Sequence, residues 1–122
     1  MNLDDLLRHA RIEEHAARYA KCLDDDALEQ WPGFFAERCV YKVTTAENHK
    51  NGFEAGIIFA DTKGMLIDRI AALRQANIYE KQSYRHILNP TIITGTSDGD
   101  VRAETGFLVV RTMHDGAALL FV

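Results

Sequence analysis

The hydrophobic pattern of this chain changes its period about halfway along, and this change constrains the fold more than any other feature. Residues 3–23 carry apolar side chains at helical spacing, with charged residues between them, which predicts an amphipathic helix. That stripe consists of Ile12, Ala16, Tyr19, Ala20 and Leu23. The final third alternates as strands do, with turn residues between the runs. Helices followed by strands predict an α+β fold rather than alternating βαβ units.

Two further helical segments follow the first one. Residues 24–26 are three consecutive aspartates, which oppose the helix dipole and predict the end of the first helix there. Asp26 with Glu29 resembles a capping box and predicts a short helical turn that Pro32-Gly33 ends. A second full helix is expected over residues 62–76, with Asp61 or Thr62 as its N-cap. Its core stripe is Leu66, Ile70 and Leu73.

The strands are expected to form one curved antiparallel sheet wrapped around the N-terminal helices. A first strand is predicted over residues 39–45, followed by a loop over 46–56. Long strands over 84–95 and 101–113 flank a hairpin turn at Ser97-Asp98-Gly99, and Asn89-Pro90 predicts a bulge or an edge position. Asp115-Gly116 predicts a turn into a last strand over 117–122. The uncharged edge of this strand implies either that the chain is shortened or that a partner covers the edge.

Composition and charge exclude several functional classes. The 122 residues predict one domain, 1–122, and 47% hydrophobic with 26% charged residues is typical of a globular chain. The net charge of −4 and the lack of a basic run argue against nucleic acid as a partner. The longest apolar run has six residues, so no membrane span is expected, and the acidic N-terminus predicts a cytoplasmic protein. Cys22 and Cys39 are expected to be buried thiols.

Metal and cofactor motifs are not expected from the spacing of the histidines and cysteines. Neither cysteine has a histidine within three residues, as a Rieske centre would need. His9 and His15 are six residues apart on the first helix, so they are expected to face solvent on different sides. The chain also lacks a nucleophile elbow, a P-loop and a dinucleotide-binding fingerprint. We therefore predict no metal or cofactor in this chain.

One pair of residues is a candidate for acid–base chemistry. Asp25 or Asp26, at the end of the first helix, could approach His86 on the long strand and orient its imidazole as a base near neutral pH. Tyr19 could then supply a hydrogen-bond donor to an enolate or a leaving group. The alternative is that Asp26 only caps a helix and that His86 is a core or interface residue.

Two other groups of residues allow both a structural and a functional interpretation. The aromatic residues Trp31, Phe34 and Phe35 either fill the core or line a ligand pocket. A second group is rich in arginine and tyrosine, which are common in protein interfaces, although an internal salt bridge between Asp68 and Arg85 is equally consistent with the sequence. This second group comprises Asp68, Arg69, Arg74, Tyr84 and Arg85.

Several short blocks resemble the small (beta) subunits of aromatic-ring-hydroxylating dioxygenases. Residues 26–35, DALEQWPGFF, are similar to a W-x-x-F-F segment of that family. Further similar blocks are MLIDRI at 65–70, NIYE at 77–80, YRHIL at 84–88 and VRTM at 110–113. The resemblance extends from about residue 19 to residue 122, and it is strongest to subunits of dioxygenases that act on aromatic carboxylates.

The resemblance implies a cystatin-like, nuclear-transport-factor-like cone fold and a hexamer of three alpha and three beta subunits. In that family the alpha subunit carries the Rieske [2Fe-2S] cluster, the mononuclear Fe(II) and the substrate pocket, and the beta subunit is structural. Asp68, Arg69, Tyr84, Arg85 and His86 fall in the family's signature segments, so they are expected at an interface. Family members continue through further strands, so a chain that ends at Val122 is expected to lack them.

The residues are also consistent with two alternatives to a structural subunit. A stand-alone dehydratase or isomerase with the same cone fold would use the pair of Asp25 or Asp26 with His86. A small-ligand binding module would use Trp31, Phe34 and Phe35. A shared fold cannot decide among the three.

Overall fold

The computed structural model describes residues 2–45, 50, 58–76, 82–113 and 118–120. Two helices, one 3-10 helix and seven strands occur within these residues. They are α1 (Leu3–Asp24), the 3-10 helix (Leu28–Phe34), β1 (Arg38–Val43), β2 (Ile58–Thr62), α2 (Lys63–Ala76), β3 (Gln82–Leu88), β4 (Ile92–Ser97), β5 (Asp100–Glu104), β6 (Phe107–Met113) and β7 (Ala118–Leu120). All strand pairs are antiparallel, which confirms the α+β class. The chain divides into two compact units, residues 1–27 with 80–122 and residues 28–79.

The first unit contains α1 and five strands. Asn2 caps α1, since its side-chain oxygen accepts a hydrogen bond from the Asp5 N–H at 2.8 Å. One face of α1 packs on β3, and its predicted stripe is half-buried or buried, with Ala20 fully buried. The strands form a three-stranded sheet in the order β3-β6-β7 and a separate β4-β5 hairpin. The hairpin turn has positive φ at both Asp98 and Gly99, as a type I′ turn requires, which confirms that turn.

The two long strands predicted in this unit are each divided in two, which corrects the expectation of unbroken strands. Strand 84–95 breaks after Leu88 because Pro90 has no N–H to donate to a neighbouring strand. Strand 101–113 breaks opposite it, where the Asn89 N–H donates to the Gly106 carbonyl at 2.8 Å. The breaks coincide, so β3 pairs with β6 and β4 pairs with β5.

The end of α1 is a Schellman motif, although the sequence suggested that Asp26 opens the next helix. The Asp26 N–H donates to the Leu23 carbonyl and the Ala27 N–H to the Cys22 carbonyl, at 3.1 and 3.0 Å. Asp26 takes the left-handed position of this motif, with φ of 58°. Its carboxylate therefore stands at the exit of α1 rather than at the start of a capping box.

Replacing Asp26 with glycine is expected to stabilise the protein by about 0.5 kcal/mol, because glycine adopts positive φ without a steric cost. Asp25→Gly is the matched control. Asp25 has φ of −82°, so glycine there relieves no strain. It adds freedom to the unfolded chain and removes the ion pair with Lys21, so it should destabilise. Urea denaturation of both variants measures the difference, and equal shifts in the same direction would contradict the assignment of the motif.

The second unit contains the 3-10 helix, the β1-β2 hairpin and α2. The Met65 N–H donates to the Thr62 hydroxyl at 3.2 Å, so Thr62 is the N-cap of α2. The predicted stripe of α2 is confirmed by the burial of Leu66 and Ile70, which share this unit's core with Ala60 and Trp31.

Two expectations for this unit change. The 3-10 helix continues through Pro32 and Gly33 to Phe34, because the fixed φ of proline matches 3-10 geometry and the ring costs only one hydrogen bond. Strand β1 spans Arg38–Val43, one residue earlier at its start and two earlier at its end than expected. The predicted turn Asp115-Gly116 and most of the predicted loop 46–56 lie outside the described residues.

Candidate functional site

A carboxylate–imidazole pair connects the end of α1 to strand β3. Asp24 is the last residue of α1, and its Oδ1 lies 2.6 Å from Nδ1 of His86. Both oxygens of Asp24 also accept from the backbone N–H of His86, each at 3.0 Å. The side chain of Asp24 is 7% exposed, and that of His86 is 19% exposed. The pair is therefore mostly shielded from solvent, and the carboxylate is held by three hydrogen bonds.

These contacts define what the imidazole of His86 can do. An ionised carboxylate only accepts hydrogen bonds, so Nδ1 of His86 carries the proton in this contact. Nε2 is then the nitrogen of the neutral ring that can accept a proton, the arrangement that an oriented base needs. The same carboxylate also binds an outward N–H of β3, which blocks that edge from pairing with another strand.

The structure brings Asp24 to His86, rather than Asp25 or Asp26 as the sequence suggested. Asp25 lies one residue beyond the helix, and its carboxylate is 2.6 Å from the ammonium of Lys21. Asp26 takes the left-handed position of the Schellman motif, with φ of 58°. The helical period contains the signal that identifies Asp24, because Asp24 follows the buried Ala20 by four residues and so lies on the packed face. Tyr19, the candidate donor, is half-buried in α1.

A second polar contact point of α1, which the sequence did not indicate, is centred on Thr91. Its N–H donates to the carboxylate of Glu13, its carbonyl accepts from Nε2 of His9 at 2.9 Å, and its hydroxyl lies 2.6 Å from that of Thr105. His9 is half-buried, so the expectation that it faces solvent is wrong. The reason is that the backbone freed by the break at Pro90 needs partners, and α1 supplies them.

A cleft of about 240 Å³ lies beside this contact point. It is lined by Glu13, Ala16, Ala17, Leu88, Asn89, Pro90 and Thr91. His86 is not among these residues, so the pair with Asp24 does not open into this cleft.

The aromatic residues of the second unit pack on one another. Trp31 meets Phe35 and Tyr41 edge to face, with ring centroids 5.2 and 5.0 Å apart, and Phe35 and Tyr41 are 6.0 Å apart. Trp31 is buried, while Phe34 and Phe35 are half-buried. This packing supports core filling, and pocket lining by Trp31, Phe34 and Phe35 stays a prediction.

Burial within this cluster raises the pKa of the Tyr41 hydroxyl, although the positive charge of Arg69 opposes the shift. The folded state therefore holds the phenol proton more tightly than the unfolded chain does. This difference contributes to the free energy of unfolding below the ordinary tyrosine pKa of 10.0, and the contribution is lost as the pH rises above that value. We expect the melting temperature to fall more steeply above pH 10 for the native protein than for Tyr41→Phe. Parallel slopes would contradict this.

The candidate interface residues are distributed over both units. In α2, Asp68 is exposed and Arg69 is half-buried. In β3, Arg85 is exposed, whereas Tyr84 and His86 are half-buried on the opposite face. Arg74, from the same sequence group, instead forms an internal two-bond ion pair with Glu29, with both N–O distances at 2.9 Å. The interface role of the other five residues stays a prediction.

Exposed apolar side chains accompany Arg85 on the outward face of β3 and β6. Ile87 and Leu108 are direct cross-strand partners and are 51% and 41% exposed. The opposite face of the same strands carries His86 and the buried Val109, which are also partners. The β3-β6 pair thus has one face that carries the buried Val109 and an opposite face with exposed apolar side chains, a candidate protein interaction surface.

The described residues contain neither a metal-binding cluster nor a membrane-spanning helix. No group of three or more histidine, cysteine, aspartate or glutamate side chains is arranged to hold a metal ion within the described ranges. Among the helices described above, none is long and apolar enough to cross a membrane. Cys22 is buried as expected, and its thiol donates to the Ala27 carbonyl at 3.1 Å, whereas Cys39 is only half-buried.

Comparison with known proteins relates this arrangement to a family. The family described as "Ring hydroxylating beta subunit" matches residues 18–122. The chain is 48% identical over 117 residues to the beta 1 subunit of the terminal oxygenase component of terephthalate 1,2-dioxygenase from Comamonas sp, covering 95% of this chain and 75% of that protein. It is 38% identical over 104 residues to the anthranilate 1,2-dioxygenase small subunit of Burkholderia cepacia, covering 85% and 65% of the two chains.

A solved structure shows the same fold. It is the beta subunit of a putative aromatic-ring-hydroxylating dioxygenase from Novosphingobium aromaticivorans, with a TM-score of 0.86 and 38% identity. The match covers 96% of this chain and 74% of that one. The chain therefore belongs to the ring-hydroxylating beta subunit family and is the beta subunit of an aromatic-ring-hydroxylating dioxygenase.

Proposed function

We propose that this chain is a structural subunit that associates as a trimer and holds three alpha subunits in a ring. The alpha subunit would bind the Rieske [2Fe-2S] cluster and the mononuclear Fe(II), which supply electron transfer and oxygen activation. It would also bind the substrate, for which the relatives suggest an aromatic carboxylate such as terephthalate or anthranilate. A cytoplasmic location stays a prediction.

The uncovered face of β3 and β6 is the observation that carries this proposal. Ile87 and Leu108 expose apolar surface to water. Burying this surface against a partner would lower the free energy of the chain. Arg85 lies on the same face and is exposed. Arginine beside apolar side chains is characteristic of interfaces, because it combines contact area with several hydrogen-bond donors. Association through this face would therefore bury apolar area and satisfy a charge at once.

The pair of Asp24 and His86 supports the same proposal through its contacts. Asp24 binds both the backbone and the ring of His86, so it anchors the end of α1 to β3. This anchor holds one face of β3 on α1, while the other face remains available for a partner. In this view the pair contributes rigidity to the contact surface rather than proton transfer.

The stand-alone dehydratase or isomerase remains the second candidate. When Nδ1 of His86 donates to Asp24, Nε2 of the neutral ring is the nitrogen that can act as a base. His86→Ala separates the two. An enzyme would lose about 10²–10⁴-fold in proton-transfer rate while keeping its assembly. A structural subunit would instead lose stability or assembly with its alpha subunit.

The principal test is co-expression of the chain with and without its alpha subunit. We expect a complex with equal copy numbers of both chains by native mass spectrometry, and ring dihydroxylation of an aromatic carboxylate only when both are present. Ile87→Glu should prevent assembly, because it places a charge in the buried contact. Thr96→Glu, at an exposed position of β4, is the matched control and should assemble normally.

Two outcomes would contradict the proposal. In the first, the alpha subunit assembles and turns over equally well without this chain. In the second, Ile87→Glu assembles as Thr96→Glu does, which would show that the uncovered face of β3 and β6 is not a contact surface.

A further inference from the structure

The first turns of α1 carry a second apolar stripe that lies away from the packed face. Leu3, Leu6, Leu7 and Ala10 follow the i, i+3, i+4, i+7 spacing of a single helix face. The three leucines are 69%, 53% and 46% exposed in chain order. We call these four residues the leucine stripe.

The leucine stripe and the packed face of α1 point in different directions. Ile12 is half-buried on the packed face, and nine residues separate it from Leu3. At about 100° per residue, nine residues correspond to a rotation of about 180°. The stripe is therefore centred away from Ile12, while Leu6, five full turns before Asp24, lies at the border between the two faces and is 53% exposed. It also precedes residue 18, where the match to the beta subunit family begins.

Charges beside the leucine stripe indicate what covers it. Asp4 and Arg11 are both exposed and lie seven residues apart, two helical turns, on the same flank of the stripe. Leu7 lies between them, three residues after Asp4 and four before Arg11. One flank therefore presents a negative charge near its start and a positive charge near its end.

This order of charges is complementary to itself when the helix direction is reversed. In an antiparallel pair of identical helices, each flank meets the same flank of the other copy, running in the opposite direction. Asp4 then faces Arg11 of the second copy, and Arg11 faces Asp4 of that copy, while the leucines meet in between. A parallel pair would bring opposite flanks together and would leave both charges without these partners.

We propose that the leucine stripe is a two-fold contact with a second copy of this chain, in which the α1 helices pack antiparallel. This contact is separate from the uncovered face of β3 and β6 and does not depend on the proposed trimer. Four apolar residues per copy make a small interface, so the association is expected to be weak and concentration-dependent. Its effect on any assembly is to double the copy number.

Sedimentation equilibrium of the full chain tests the contact. We expect the native protein to show an association that doubles its mass as the concentration rises, and Leu6→Glu to abolish it. Glutamate retains helical propensity near a helix N-terminus, so far-UV circular dichroism should be unchanged. Thr96→Glu carries the same charge change at a distant exposed position and should associate normally.

A charge exchange tests the antiparallel orientation. Asp4→Arg places two like-charge contacts in the symmetric pair and should weaken association about tenfold, and Arg11→Asp should do the same. The double variant Asp4→Arg/Arg11→Asp restores opposite charges and should recover most of the affinity. Recovery in the double variant supports the antiparallel pair, since independent surface effects would add instead.

Three results would overturn the proposal. In the first, Leu6→Glu doubles its mass with rising concentration as the native protein does. In the second, the double charge variant fails to recover its affinity. The third is that Leu6→Glu leaves self-association intact but prevents co-purification with the alpha subunit, which would make the stripe a contact for that subunit.

Discussion

Asp24→Ala is expected to lower the free energy of unfolding by about 3 kcal/mol, because it removes a shielded charged acceptor from two donors. The backbone N–H of His86 and its ring Nδ1–H would both lose their partner. Asp24→Asn keeps one acceptor oxygen and should have a smaller effect. Chemical denaturation monitored by circular dichroism measures all three proteins.

Asp25→Ala is the matched control for this prediction. It removes a carboxylate one residue away, but that carboxylate is half exposed and pairs only with Lys21. A surface pair of this kind contributes about 0.5 kcal/mol. If Asp24→Ala and Asp25→Ala unfold at the same denaturant concentration, the anchoring role of Asp24 is wrong.

Leu66→Ala is expected to destabilise the protein by about 3 kcal/mol, since it opens a cavity in a site that is completely shielded from solvent. Leu66 has 0% exposure and is the largest fully buried side chain in the described part of the chain. The expected result is a lower denaturation midpoint, measured by urea titration.

Ile67→Ala provides the comparison within the same helix. Ile67 follows directly after Leu66, but its side chain is exposed, so truncation should change the free energy of unfolding by less than about 1 kcal/mol. Equal losses for the two variants would show that the burial of the α2 stripe does not determine the stability of this unit.

Local patterns in the sequence were sufficient for most elements of secondary structure. The helical period located α1 and α2 within one residue at each end, and Asp98-Gly99 specified the hairpin turn, since few residues tolerate positive φ. Strand lengths were less accurate. Pro90 indicated a break in one strand, but nothing local showed that the partner strand breaks at the same level, at Gly106.

The candidate site was harder to predict than the elements that carry it. His86 and a carboxylate from the end of α1 were correctly associated, but the sequence indicated Asp25 or Asp26, whereas the partner is Asp24. The choice depends on the rotation of α1 against β3, which directs Asp24 towards His86. Burial of His9 against Thr91 could not be inferred either, because 82 residues separate the two.

By itself the sequence determined the fold class, the helices, the hairpin turn and the family of this protein, because these depend on residue spacing over short distances and on similarity along the chain. The tertiary structure alone decided which aspartate meets His86, which groups satisfy Thr91, and which apolar side chains remain exposed. Those contacts join residues far apart in the chain, so they depend on how helix and strands pack, and packing is not encoded in any single local pattern.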